Sequence, residues 1–504
     1  MIVSETASRV TSRWLQACVL LCATVVLPVG MNSAVADVKV DSPLTSNMVL
    51  QRGMDVPVWG NAAPNATITV SFNNQRKETT ADGTGKWKVV LSPMTAGGPH
   101  QMTIQGEANS VILRNVLVGE VWICAGQSNM DYPLGAFRAK YDANVEAADM
   151  TNIRLVNFDT RGDGSNWREC TPDTARGFSA TGFFFGRELH RKLNVPIGLI
   201  EGALGGTQLE TWMSPAAAEE CPELKWGQIY KWKTVGENYP QIKDMMPYAI
   251  RGAIWYQGEM NGTANTGHTY AYHFGAMNKH WRKDWGLGNF PVLYVQLPNF
   301  LKPQSVDPKD DSQRAWPALR EAQRMCLDFE NTGMAVTIDI GMADNIHPVN
   351  KLDVGKRLAL NARALVYGEE DLVYSGPMYH DMEIEGNRIR LNFTHVGSGL
   401  VSTTGEKLKG FGIAGDDRRF VWADAVIDGN SVLVRSPKVP NPKHAVYAWA
   451  INPLISLYNK EGLPASPFAT WTDPPPKGYK SFTKPKTEVG SDADPTGRKK
   501  STFR

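Results

Sequence analysis

Apolar and polar side chains alternate along Ala66-Thr67-Ile68-Thr69-Val70-Ser71-Phe72. A period of two puts one set against a core and the other toward water, which predicts a half-buried strand. Asp82-Gly83 and Gly97-Gly98 break the surrounding sequence with turn residues. Residues 37–114 are therefore expected to form an N-terminal β-domain of short strands, sandwich-like in build. The pattern changes after residue 115. Val116–Ala125, Ile197–Ile200, Ala253–Tyr256 and Phe290–Leu297 are apolar runs of the kind buried on both faces of a parallel sheet. Helices are predicted between them over 183–193, 265–285 and 350–366, the last carrying Leu352, Val354, Leu358, Leu360 and Leu365. Strands alternating with helices predict a layered α/β domain over 115–370. Strands return over 371–473, where Arg388–Phe393 alternates cleanly, and a C-terminal β-domain is expected. Residues 474–504 open on Pro474-Pro475-Pro476 and turn polar and lysine-rich, so a disordered basic tail is expected.

The N-terminus departs from all of this. Arg9 and Arg13 precede an apolar stretch from Trp14 to Val29, and Ala34-Val35-Ala36 fits a small-residue cleavage site. Residues 1–36 are expected to be a signal peptide, with the mature chain starting at Asp37 and exported to the periplasm or beyond. The apolar stretch is too short, and too soon followed by a cleavage signal, to favour a stable membrane span. The formal net charge of +2 on 504 residues offers no argument for nucleic acid or for a strongly anionic partner. Of the cysteines, Cys18 and Cys22 fall in the signal segment. Cys124, Cys170, Cys221 and Cys326 match no zinc spacing. A Cys170–Cys221 bridge suits an oxidising compartment, but sequence does not establish it. Oligomeric state is left open.

Chemistry enters at the ends of the apolar runs. Gly126-Gln127-Ser128-Asn129-Met130 follows the first of them, and a serine just past a strand end sits where open α/β sheets bind ligands. A serine hydroxyl needs a base, and Asp344-Asn345-Ile346-His347-Pro348 offers a histidine with a carboxylate three residues before it. Asp339 is the rival carboxylate, placed in an apolar strand-like run. Gly205-Gly206-Thr207 follows another run, and glycines there let backbone N–H groups approach an oxyanion. Gln257 and Asn261, after Ala253–Tyr256, can donate side-chain hydrogen bonds to the same place. Their plainer roles are a satisfied buried amide and a loop bond. Glu259 is either a partner behind the site or a salt-bridging residue. His268, His273 and His280 lack the spacing that puts two metal ligands on one helical face.

This order of motifs resembles the SGNH (GDSL-like) hydrolases. The wording of Gly126–Met130, Gly205–Thr207, Trp255–Glu259, Asp344–Pro348 with Asn350-Lys351, and the late Ala448–Pro453 resembles the sialate O-acetylesterase family. The resemblance runs from about Asp41 to about Thr472. It implies an α/β fold with a three-layer α/β/α catalytic domain and flanking β-sandwich-like domains. It implies hydrolysis of O-acetyl esters on carbohydrates by Ser128 as nucleophile, His347 as base and acid, and Asp344 as its orienting carboxylate. The N–H groups of Ser128, Gly205 and Gly206, with Gln257, would form the oxyanion hole. Gln127, Asn129, Glu259 and Asn261 would bind substrate. No metal or organic cofactor is implied. The family often has Trp at Leu204, Ser at Met260 and Glu at Asp131, so the sugar is open to question while the chemistry is not. A different acetylated glycan such as xylan, or a non-catalytic glycan-binding protein, are the competing readings.

Overall fold

The computed structural model describes residues 37–158, 166–305, 307–309, 315–471 and 473–480. The expected signal segment and residues 481–504 of the expected tail lie outside them. The centre is a sheet whose strands we number β1 (Ser110–Gly126), β2 (Met150–Asn157), β3 (Arg168–Cys170), β4 (Ile197–Ala203), β5 (Gly252–Tyr256), β6 (Val292–Gln296) and β7 (Thr332–Val336). Their spatial order is β3-β2-β4-β1-β5-β6-β7. Every pairing is parallel except β3 with β2. The chain leaves β1 toward one edge, then returns past it to build the other. That reversal makes the carboxyl end of β1 a topological switch point, where such sheets form their clefts.

Helices cover both faces, as the unbroken burial of β4, β5 and β6 requires. We number the four long ones that do so α1 (Ala180–Leu193), α2 (Tyr270–Trp285), α3 (Trp316–Met325) and α4 (Lys351–Leu365). Phe274 of α2 packs edge-on to Tyr294 of β6, with ring centroids 5.0 Å apart. The neighbouring Leu293 lines the opposite face, close to Gly333 and to Leu365 of α4. Successive side chains of a strand point to opposite faces, so α2 and α4 lie on opposite sides. Gly355 of α4 lies so close to Phe184 that a Cβ would come within 2.6 Å of it, which sets α4 tightly on α1.

Three N-terminal strands, Lys39–Val40, Val56–Asn61 and Lys86–Leu91, form an antiparallel sheet of their own, while Thr67–Phe72 and Gly97–Gln105 join the central sheet through β1. β1 begins half-exposed, pairs antiparallel with Gly97–Gln105, and becomes fully buried as it enters the parallel sheet. It thus crosses the expected boundary at 114/115 without a break, and one hydrophobic core runs across it. The alternating segment forms the strand Thr67–Phe72, hairpinned to Gln75–Thr80. Buried Glu120 of β1 pins the junction through Arg52 and Arg251, at 2.5 and 2.8 Å.

Two four-stranded antiparallel sheets make up most of the C-terminal part and enclose their own core of Ile389, Leu391, Val432, Phe411 and Phe468. Arg320 of α3 fastens this part to the central sheet. Its guanidinium is fully buried and donates to the carbonyls of Leu297, Pro298, Ala450 and Ile451, at 2.6–2.9 Å. Burial pulls its pKa down to about 9. The late segment that resembles the esterases therefore packs on the catalytic domain. Cys124, Cys170, Cys221 and Cys326 are buried free thiols, so Cys170 and Cys221 are not bridged. No helix of the described residues is long and apolar enough to cross a membrane.

Replacing Arg320 with Met removes the donors and leaves the buried carbonyls of Leu297, Pro298 and Ala450 without this partner, while that of Ile451 keeps the N–H of Phe300. Urea unfolding of the Arg320→Met variant should show a loss of about 3 kcal/mol. A loss under about 1 kcal/mol would mean that these carbonyls find other partners.

Candidate active site at the carboxyl end of the sheet

The last residues of three neighbouring strands lie level: Gly126 of β1 pairs with Ala203 of β4 and with Tyr256 of β5. Gly126 has φ 135°, and a Cβ there would sit 2.2 Å from the Tyr256 carbonyl oxygen. Only glycine fits such an approach. Gln127 N–H then donates to that same carbonyl at 2.9 Å, and the chain turns into the short helix Ser128–Asp131. Ser128 is lifted above the sheet edge by this turn.

His347 arrives from the loop after β7, and its Nε2 lies 2.9 Å from Ser128 Oγ. Its ring packs against Tyr132, with centroids 4.4 Å apart and planes inclined by 33°. Burial lowers the His347 pKa below its ordinary value, and the nearby Lys351 cation lowers it further. The imidazole is thus biased toward the neutral form that accepts a proton.

The two candidate carboxylates are placed very differently. Asp339 lies beyond the end of β7, not inside a strand, and is gripped by both ends of the Arg357 guanidinium at 2.5 and 2.7 Å. Asp344 is exposed in the loop just before His347. It forms no hydrogen bond or ion pair with His347. The loop is held instead by the bond from His347 N–H to Asn345 Oδ1, 2.8 Å.

The glycine turn lies beside the serine. Leu204 N–H continues the ladder to Gly126 O at 3.0 Å. A Cβ on Gly205 would be 3.5 Å from the Ser128 Cβ, so this glycine borders Ser128 directly. Gly205 N–H points at Asp131 Oδ2, 3.2 Å away. Gly206, with φ 71°, completes the turn, and Met260 lies close to it.

The amides take a different place from the one their motifs suggest. Gln127, Asn129, Gln257, Glu259 and Asn261 are only 0–3% exposed. Gln257 Nε2 donates toward Gln127 Oε1, Thr207 O and Asn261 Oδ1, at 2.7–3.1 Å. It serves as a donor in the wall of the site but is not a fully satisfied amide, since its Oε1 is buried with no hydrogen-bond partner among the described residues. Asn261 Nδ2 is taken by Glu210 and Thr266. Asn129 and Glu259 bond to each other. These residues form the wall behind the Ser128 turn and present no free surface for a sugar. Their motifs, polar residues next to strand ends, do not distinguish a lining side chain from one folded underneath.

Of the three histidines on or near α2, His273 is buried between Glu210 and Glu223, at 2.7 and 2.9 Å. Burial alone would lower its pKa, but the two carboxylates prevail and raise it to about 9. Sequence reasoning placed Lys351 in the Asn350-Lys351 motif without giving it a role, and passed over Tyr132. Lys351 carries a legible signal, since it shares its helical face with Val354, Leu358 and Ala362, all of them buried.

A family model described as carbohydrate esterase, sialic acid-specific acetylesterase, matches residues 118–363. The chain is 30% identical to the sialate O-acetylesterase of Rattus norvegicus over 434 residues, covering 70% of this chain and 78% of that protein. It is 29% identical to that of Homo sapiens over 499 residues, covering 87% and 94%. A carbohydrate acetylesterase from Xanthomonas citri, solved by crystallography, is 38% identical with a TM-score of 0.78 and covers 86% of this chain and 100% of its own. With the fold above, these matches define the class: a carboxylic ester hydrolase on an SGNH-like α/β core. Within that class the chain belongs to the sialic acid-specific acetylesterase family of carbohydrate esterases.

A general base works only when unprotonated, so activity falls as pH drops through its pKa. The His347 pKa is held below the ordinary histidine value, so a general base at this position should put the acid limb of kcat/KM below about pH 6.5. A pH–rate profile on an acetyl ester checks this. A limb at or above that value would mean the cation beside His347 has little effect.

Proposed function

We propose that this protein is an exported serine esterase that removes O-acetyl groups from carbohydrates through an acetyl-serine intermediate. The observation that carries the reading is the 2.9 Å contact between Ser128 Oγ and His347 Nε2 at the switch point of the sheet. Ser128 Oγ attacks the acetyl carbonyl carbon while His347 Nε2 takes the hydroxyl proton. The carbonyl oxygen becomes an oxyanion, held by the N–H groups of Ser128, Gly205 and Gly206. The C–O bond to the sugar then breaks, and the sugar oxygen leaves with the proton from His347. Water, deprotonated by His347, attacks the acetyl-serine and releases acetate. Oxyanion donors of this kind contribute about 10²–10³-fold each.

Two adjustments belong to this mechanism. Gly205 N–H must exchange Asp131 Oδ2 for the oxyanion. Asp344 must turn from solvent to the imidazole, as catalytic hydrogen bonds often tighten only with substrate bound. The Arg357 pair leaves Asp339 unavailable for that task, which favours Asp344. The relatives named as sialate O-acetylesterases support an O-acetylated sialic acid as first substrate. Leu204 and Met260 line the glycine turn with apolar surface, and they bear on which sugar is accepted. The Arg9–Ala36 segment supports export.

Acetate release from a panel containing O-acetylated sialic acid and acetylated xylan tests the whole reading. Ser128→Ala should remain folded and lose activity by at least about 10³-fold. In the same assay Asp344→Asn should cost far more turnover than Asp339→Asn. Full activity in Ser128→Ala rejects the nucleophile, and the reverse ranking moves the carboxylate role to Asp339.

A further inference from the structure

Behind Ser128 lies a set of buried groups that the mechanism above does not use. Lys351, the first residue of α4, is fully buried and donates its ammonium to Asn129 Oδ1. Its Nζ lies 5.3 Å from the ring centre of Tyr256 and 5.7 Å from that of Phe137. Asn129 Nδ2 donates to Glu259 Oε1 and, at 3.0 Å, to the carbonyl of Ile346. The Asn129 carbonyl accepts from Thr181 Oγ1 at 3.2 Å. Every hydrogen-bonding group of the Asn129 side chain is engaged, and each reaches a different segment.

The connectivity gives these bonds their meaning. Asn129 follows the nucleophile directly. Ile346 precedes the base directly, and Lys351 opens the helix after it. One amide therefore holds the His347 loop at both ends while fixed to the Ser128 turn. We propose that Asn129, clamped between Lys351 and Glu259, is a positioning residue that sets the alignment of Ser128 with His347. This deepens the esterase reading and rests on it.

Energetics favour this over a merely structural role. Lys351 and Glu259 are opposite charges buried on either side of Asn129, and buried opposite charges are weak evidence for stability, because well-packed apolar side chains usually do as well. Glu259 Oε2 is buried and has no hydrogen-bond partner among the described residues, which adds to the cost. Burial pulls the Lys351 pKa down to about 7 against the opposing pull of Glu259, and burial raises that of Glu259. An arrangement this costly is explained if it fixes the geometry of a reaction, where a 1 Å misplacement costs about 10²-fold in rate. Lys351 also acts on His347 through its charge. Besides Lys351, the titratable groups around His347 are Asp344 in its own loop and Asp131 and Tyr132 beside the serine. Those around Lys351 are Glu259, Tyr256 and Tyr141.

The test compares Asn129→Ala, Lys351→Met and the charge-free pair Lys351→Met/Glu259→Gln, each against wild type and Ser128→Ala, on one acetyl ester. Asn129→Ala should lower kcat by about 10²-fold with KM within about threefold. Lys351→Met should move the acid limb of kcat/KM to higher pH, because His347 loses a neighbouring cation and its pKa rises. The double variant should fold and show the same displaced limb. A folded Asn129→Ala with kcat within about threefold of wild type overturns the proposal. So does an acid limb that stays in place in both Lys351 variants. Loss of the fold in the double variant overturns it too, since the network would then be structural. Activity persisting in Ser128→Ala instead rejects the esterase reading on which the proposal stands.

Discussion

The site depends on how closely β1 approaches β5. A side chain at Gly126 would collide with the Tyr256 carbonyl, which lies 2.2 Å from where its Cβ would be. That carbonyl accepts the N–H of Gln127, so the chain is committed to turning at this point. The left-handed φ of Gly126 then directs Ser128 upward rather than along the strand. Tyr256 and Ala203 end level with Gly126, so the loops after β4 and β5 leave the sheet at the same height. Gly205 thereby borders Ser128 without any long excursion of the backbone. The serine, the glycine turn and the amide wall are consequences of one register.

Beneath that edge the molecule buries polarity in two connected layers. The nearer one is Asn129 with Glu259 and Lys351. The farther one runs from Gln127 through Gln257 and Asn261 to Glu210 and His273. In the second layer His273 gains a proton's charge from its two carboxylates, and that charge fixes which way Glu210 and then Asn261 face. Amides can bond in either orientation, and a neighbouring full charge selects one. The charges are set back from Ser128, and the amides of Gln257 and Asn261 lie between the farther ones and Gln127 beside it.

β1, β4, β5 and β6 were legible because they run buried on both faces with few polar residues, whereas β2 and β3 mix polar, partly exposed positions with buried ones and gave no clear pattern. Helix α4 was legible from its apolar period, and its cap, Asn350, whose side chain accepts from Asp353 N–H, became visible only in the fold. The serine, the glycine turn and His347 stood out because each follows an apolar run. What could not be seen is what long-range packing decides. Asp339 follows an apolar run, yet β7 stops at Val336, and its partner Arg357 lies on a helix whose facing is known only after folding. Asn129, Glu259 and Asn261 are polar residues at strand ends, where cleft and underside look alike in sequence. Glu259 and Lys351 are of types rarely buried, so composition argues against their true location. The continuity of β1 was hidden for a related reason. Its change from alternating to uniform burial resembles the end of one domain and the start of another.

The C-terminal part influences the site without contributing a catalytic group. Arg320 holds Ala450 and Ile451 against the end of β6. Asn452, the next residue, accepts from Asn299 Nδ2 at 3.0 Å, and Asn299 Oδ1 in turn accepts from Gly341 N–H at 2.7 Å. Gly341 stands where the loop toward Asp344 and His347 begins, and a Cβ there would meet the Asn299 carbonyl oxygen at 1.8 Å. The base loop is therefore anchored at its start by a chain of contacts that ends in the second β-domain, and farther along by Asn129. Between these anchors the stretch carrying Asp344 is exposed, while His347 itself remains packed on Tyr132. This division suits the chemistry. In the proposed mechanism the imidazole keeps its distance from Ser128 throughout, whereas the carboxylate is needed only as positive charge develops on the ring.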